Sequence, residues 1–219
     1  MGTPAPRRSR LFVWLGGAAA LIVLALLLLA GAALRRPSWY RPQSINHASL
    51  EADQKSLVAT LDAIGAALNS GAAFDVELSA DQINRWIAAR HELAPPQSLA
   101  RADRIFEQPF VTLAGDGVRL GGLISWNGVR AVASTRVQVV LGEQLELHVH
   151  DLALGALSMP GGATNRLLDA AAAAIPGAAR DQRRLLAPRD WVWPNGKRPC
   201  RIAKLEIADG VVRLRLEPR

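Results

Sequence analysis

Between residues 104 and 160 apolar and polar side chains alternate with a period of two, and the breaks in that alternation fall on turn dipeptides. Asp116-Gly117 and Asn127-Gly128 are the pairs that two-residue type I′ turns demand, because both central residues take positive φ. Gly142-Glu143 is a weaker candidate of the II′ kind. The spacing predicts four antiparallel strands in sequence order. Val118, Leu120, Gly122, Ile124 and Trp126 share one face. Val129, Ala131, Ala133, Thr135, Val137, Val139 and Leu141 share a face of the next strand, and Leu145, Leu147 and Val149 a face of the fourth. Arg119, Ser125, Arg130, Ser134, Arg136, Gln138, Glu146, His148 and His150 fall opposite. Such a sheet needs something laid against its apolar side, and what covers that side bears directly on function.

Residues 11–34 run for 24 positions without a charge. At about 1.5 Å per residue this is roughly 36 Å, enough to cross a bilayer with some tilt. Arg7, Arg8 and Arg10 precede the run. Trp14 near one end, and Arg35, Arg36, Trp39 and Tyr40 at the other, are placed as membrane-interface residues are. A cleaved signal peptide is the rival, with Ala30-Gly31-Ala32 as its cleavage site, but its apolar core is normally shorter. The expected organisation is a basic tail (1–10), a transmembrane helix (11–34), a juxtamembrane linker (35–48) and an extracytoplasmic domain (49–219). That describes a single-pass protein of the cytoplasmic membrane with its body outside. Arginine on both flanks nearly balances the positive-inside bias, so the opposite orientation, with a cytoplasmic body, stays open.

The chain carries 26 basic and 19 acidic residues, a formal +7 that suggests a nucleic-acid partner. Six of the basic residues lie within positions 1–41, which hold no acid, leaving 20 basic residues against 19 acids. The excess therefore sits where it can meet anionic head groups, and no nucleic acid is implied. Cys200 is the single cysteine, so packing rather than an internal disulfide must hold the fold. Nothing in the sequence speaks to oligomeric state.

Residues 49–69 read as a helix with Leu50, Leu57, Leu61, Ile64 and Leu68 on one stripe, ended by Asn69-Ser70-Gly71. That stripe is a candidate cover for the sheet; a stalk on the membrane, or pairing with a second copy, are the alternatives. Residues 74–78 alternate as a short strand. Ser79 and Gln82 then have the spacing of a capping box for a helix carrying Ile83, Trp86 and Ile87 inward. Asn84 and His91 on its flank are read as structural, with Asn84 bonding a neighbouring carbonyl. Pro95-Pro96 breaks the chain before the sheet. A second helix is expected over 163–175, with Leu167, Leu168, Ala171 and Ile175 toward the sheet and Pro176-Gly177 ending it. The chain closes in a hairpin turning at Asp209-Gly210. The fold class is α+β: a transmembrane helix, then a curved antiparallel meander packed on one or two helices.

No glycine-rich phosphate loop, nucleophile elbow or His-Glu-x-x-His occurs, so no enzyme and no cofactor are expected. His148 and His150, with Glu146, could hold corners of a metal site, but zinc usually takes three or four protein ligands. Solvated residues on the polar face are the favoured reading, and no metal is expected.

The segment FDVELSADQINRWIAAR, a strand entering a helix that bears Asn84, resembles a Leu-Ser/Thr segment with a following Asn in the YpmS-like single-pass bacterial envelope proteins. LHVHDLALGALSMP resembles their Gly-x-Leu-x-Leu-Pro segment, keeping Gly155 and Pro160 with Ser158 and Met159 between. These proteins belong with the TULIP-like (tubular lipid-binding) group. The resemblance implies a long curved sheet rolled around a helix with an apolar groove between, and no catalytic residue. Small side chains at Ala131, Ala133 and Thr135 suit either close helix packing or an acyl chain. The candidate ligand-binding residues are Leu57, Leu61, Ile64, Leu68, Leu120, Ile124, Ala131, Ala133 and Val137. The expected function is a membrane-anchored envelope protein binding membrane lipid or another apolar ligand in that groove. The alternative is a scaffolding envelope protein that contacts another protein and binds no ligand.

Overall fold

The computed structural model describes residues 8–93, 107–115, 117–126, 128–175, 177–192 and 199–219, excepting the side chains at 8–20, 93, 126, 167 and 174. Trp14, Pro95-Pro96, Asp116, Trp126, Asn127, Leu167 and Pro176, named above for their side chains or turns, lie outside the description. Helices α1 (Arg8–Leu34) and α2 (Leu50–Ser70) come first, then β1 (Phe74–Ser79), α3 (Ala80–Ala88) and α4 (Arg90–Leu93). The alternating stretch supplies β2 (Glu107–Ala114), β3 (Gly117–Trp126), β4 (Val129–Leu141), β5 (Leu145–Leu154) and the short β6 (Leu157–Ser158). After α5 (Gly161–Ala174) come β7 (Ala179–Asp181), β8 (Arg184–Ala187), β9 (Asp190–Val192), β10 (Pro199–Ala208) and β11 (Val211–Pro218).

The strands form two antiparallel sheets. The larger runs β2-β3-β4-β5-β8-β7 with β6 on β5, and the smaller runs β1-β11-β10-β9. This corrects the expected fold class: the protein is mostly antiparallel sheet with a few helices. It corrects the transmembrane element too, because among the described residues no helix is long and apolar enough to cross a membrane.

The meander forms with the expected faces. Val118, Leu120, Gly122 and Ile124 stand directly opposite Val137, Thr135, Ala133 and Ala131. Trp126 pairs with Val129 where β3 turns into β4, and Gly128 has φ +79°. The β2–β3 turn is one residue earlier than expected, since Gly117 already pairs with Ala114. The β4–β5 turn is a three-residue loop, with Leu141 opposite Leu145. A bulge beside His150 shifts the register of β5, so that Leu152 and Leu154 continue the apolar face begun by Leu147 and Val149.

Three elements cover that face. Leu168 of α5 is buried among Val137, Val149 and Leu185. Ile83 and Ile87 of α3, with Leu205, Ile207 and Val212 of the small sheet, pack on Val111, Leu113 and Val118. Helix α2 packs elsewhere: Ile64 and Leu68 are buried against Val76, Cys200 and Leu216 of the small sheet. Three residues separate α2 from β1, so the helix folds back on the sheet to which its own following strand belongs. The outer face of the small sheet carries cross-strand ion pairs, Arg213 to Glu77 at 2.9 Å and Arg215 to Asp75 at 3.3 Å. These are exposed and worth little individually.

Two polar ties fasten neighbouring elements, a buried one between α3 and β2 and a half-buried one between β10 and the β4–β5 turn. Asn84 is 4% exposed. Its amide donates to the carbonyls of Ala80 and Val111 at 2.7 Å each, and its oxygen accepts from the Val111 N–H at 2.8 Å. The side chain thus pairs with the outward-facing backbone groups of an edge strand much as another strand would. Arg189 donates to the carbonyl of Ile202, which lies at a bulge in β10, and to that of Gly142 in the β4–β5 turn. Of the expected capping box only half forms. Ser79 accepts from the Gln82 N–H at 3.1 Å, while the Gln82 side chain reaches Ser56 of α2.

Asn84→Ala leaves both Val111 backbone groups without partners, a cost of about 2–4 kcal/mol, to be read as a lower urea midpoint. Asn84→Asp is expected to fail to restore it, since a carboxylate donates to neither carbonyl. A midpoint unchanged in both variants would show that the tie contributes nothing.

Candidate functional site: the N-terminal docking face and its basic concavity

The polar face of the large sheet is not uniformly wet. Leu123 and Val132 stand opposite each other on it, and Val132 is 3% exposed. The end of α1 lies over this region. The Ala156 N–H donates to the carbonyl of Ala32 at 2.8 Å, and the Gly155 N–H to that of Val132 at 2.7 Å. Gly155 has φ +58°, and a Cβ there would run into the carbonyl oxygen of Ala33. Only glycine meets both demands.

The chain then crosses the sheet. Tyr40 is 2% exposed. Its hydroxyl donates to the carbonyl of Gln108 at 2.6 Å, which becomes available because β2 is irregular there, with Gln108 at φ +49°. The Tyr40 ring meets Phe110 edge-on at 6.0 Å, and Trp39 stacks on Phe110 at 6.4 Å. At Gly121 an added Cβ would lie 2.6 Å from the Trp39 indole, so the ring rests on bare backbone. Arg36 lies 5.1 Å over Tyr40 and Arg119 5.1 Å over Trp39, a cation–π ladder of alternating charge and ring. Burial pushes the Tyr40 phenol above its ordinary value, against the opposing pull of the Arg36 guanidinium.

Of the residues expected at a membrane interface, Arg35 and Arg36 are exposed, Trp39 is half-buried and Tyr40 is buried. The nine expected ligand-binding residues divide into two groups. Leu57, Leu61, Ile64 and Leu68 share the face of α2 turned to the small sheet, where the last two are buried. Leu120, Ile124, Ala131 and Ala133 form a patch on the large sheet, with Leu120 41% exposed, and Val137 lies beneath α5. The two groups are not brought together.

Beyond Trp39 the same face opens into a concavity of about 690 Å³. Thr112, Gly115, Gly117, Arg119, Arg136, Gln138 and His150 line it. Arg119 and Arg136 stand directly opposite each other on β3 and β4. Like charges so placed are destabilising. Asp151 is across from Arg136 on β5, yet no carboxylate forms an ion pair with either arginine among the described residues. His150 Nε2 lies 3.1 Å from Gln138 Oε1, while His148 pairs with Glu146 at 2.8 Å. The two histidines therefore have separate partners, and no metal-ligand group is found among the described residues. The opposition of Arg119 and Arg136 follows from a turn centred on 127–128 and was available from sequence; the Trp39 wall was not. No family model, no curated protein and no solved structure matches this chain.

Tyr40 is the single tyrosine, so alkaline titration of tyrosinate absorbance reads it alone. The folded protein holds the phenolic proton more tightly than the unfolded chain. The stability this contributes is full below about pH 10 and is lost as pH rises through the folded value. The expected result is a midpoint above 10.0 that moves down to the ordinary value in denaturant. Titration at the ordinary value under native conditions would contradict the docked position.

Proposed function

We propose that this protein is a lipid-associated binding module whose contact with lipid is made by the apolar length of α1. The observation that carries this reading is an exposed apolar surface on a docked helix. Leu21, Ile22, Val23, Leu24, Leu26, Leu27, Leu28 and Leu29 are each between 51 and 67% exposed, while Ala32 further along the same helix is bonded to the β5–β6 turn. A helix apolar on every side calls for an apolar surrounding. Acyl chains provide one along the whole circumference, where a single protein groove would cover one stripe. Arg35 and Arg36 follow at the end of this length, placed to meet lipid head groups. The proposal is immersion of that length in lipid and not a crossing of the bilayer. The membrane concerned is proposed to be the cytoplasmic one with the body on its outer face, and a compartment-sensitive reporter fused after Arg219 tests that placement.

Flotation with phosphatidylcholine vesicles tests the lipid contact. The full chain is expected to float with them, and Leu24→Glu/Leu28→Glu is expected to lose most of the floated fraction without altering its circular dichroism. Equal flotation of both proteins, or none by either, would overturn the reading. A wild-type chain that stays off vesicles but retains a co-purifying protein through these leucines would favour scaffolding instead.

A further inference from the structure

We propose that the concavity between Trp39 and the β2–β3 turn is a binding site for a phosphate ester. The central observation is the Arg119–Arg136 opposition. Arg119 and Arg136 are register partners on adjacent strands and both line the concavity, with Asp151 across from Arg136 but no carboxylate ion-paired to either arginine among the described residues, an arrangement of neighbouring like charges that an anion would relieve. Each guanidinium can present paired N–H groups, which suit the several oxygens of a phosphate. Arg119 is steadied by the Trp39 face at 5.1 Å, which limits the side-chain entropy lost on binding. Thr112 adds an uncharged hydroxyl to the lining. The volume, about 690 Å³, falls in the range of small-molecule sites and exceeds what an inorganic ion fills. The remaining room would take the alcohol part of the ester. Arg119 lies four residues along β3 from Leu123, roughly 13 Å from the region where α1 docks, a reach suited to a head group beside that helix.

The ester can come from a soluble metabolite or from a lipid head group, and two probes separate these sources. The full chain is titrated calorimetrically with glycerol 3-phosphate, and separately floated with phosphatidylcholine vesicles with and without phosphatidylglycerol. Arg136→Gln, which touches none of the aromatic cluster, and Arg119→Gln/Arg136→Gln are compared with wild type. Saturable binding of glycerol 3-phosphate, weakened at least tenfold in the double variant, supports the site and a soluble source. A phosphatidylglycerol-dependent gain in flotation that the variants lose, without binding of glycerol 3-phosphate, supports the site with a head group as the source. Neither response in wild type, or responses unchanged in both variants, overturns the proposal. Flotation on pure phosphatidylcholine depends on α1 alone, so its loss would count against the lipid reading and not against this site. An unshifted Tyr40 titration in the variants shows that the face has kept its fold.

Discussion

The close approach of α1 to the β5–β6 turn governs how the exposed apolar helix is presented. It rests on the absence of one side chain: Gly155 lets the carbonyls of Ala32 and Ala33 lie against the turn, and its left-handed φ delivers the Ala156 N–H to Ala32. From this point Arg36, Trp39 and Tyr40 follow a fixed path over Gly121 and Phe110, with each ring flanked by a guanidinium or another ring. The segment between the first two helices is thereby part of the folded body. Tyr40 is among the three largest fully buried side chains, with Leu68 and Leu168. Each of these three belongs to a different covering layer, the N-terminal segment, α2 and α5, so every layer is fastened by one deeply buried group.

The sheets are held together differently. Among the described residues, apolar burial between them centres where Ile207 meets Val111 and Leu113. Asn84 ties α3 to Val111 of the same cluster, and Arg189 ties β10 to the β4–β5 turn. The buried Asn84 bonds matter more than the exposed ladder of Arg213 and Arg215, because water competes for the ladder and is excluded from Asn84. The ladder keeps the outer face of the small sheet soluble and its edge charged.

Local signals were legible in the sequence and distant ones were not. The β3–β4 hairpin follows from Asn127-Gly128 and strict alternation, and its register fixes every cross-strand pair down to Arg119 and Arg136. The Ser79 cap was equally plain. The short strand at 74–78 and the hairpin turning at Asp209-Gly210 were legible and both form, but their union in one sheet was not, because β1 pairs with β11 across most of the chain, a pairing that no local pattern encodes. That omission misdirected α2, whose leucine stripe fits the small sheet as well as the large one. The strands β7 and β8 give no signal of their own, since three- and four-residue strands show no alternation long enough to see. Leu123 and Val132 hid among polar neighbours, and with them went the sign that something covers that face. The uncharged run at 11–34 was read as a bilayer crossing, which the described helices do not supply.

Helix α1 is held at its end against the β5–β6 turn, on the same side of the large sheet as the basic concavity. Pulsed electron–electron resonance between spin labels at Leu28→Cys and Val140→Cys, in a Cys200→Ala background, measures this directly. A single narrow distance distribution is expected, broadening when Gly155→Val blocks the approach of Ala33. A broad distribution in the parent protein, or a narrow one unchanged by Gly155→Val, would contradict it.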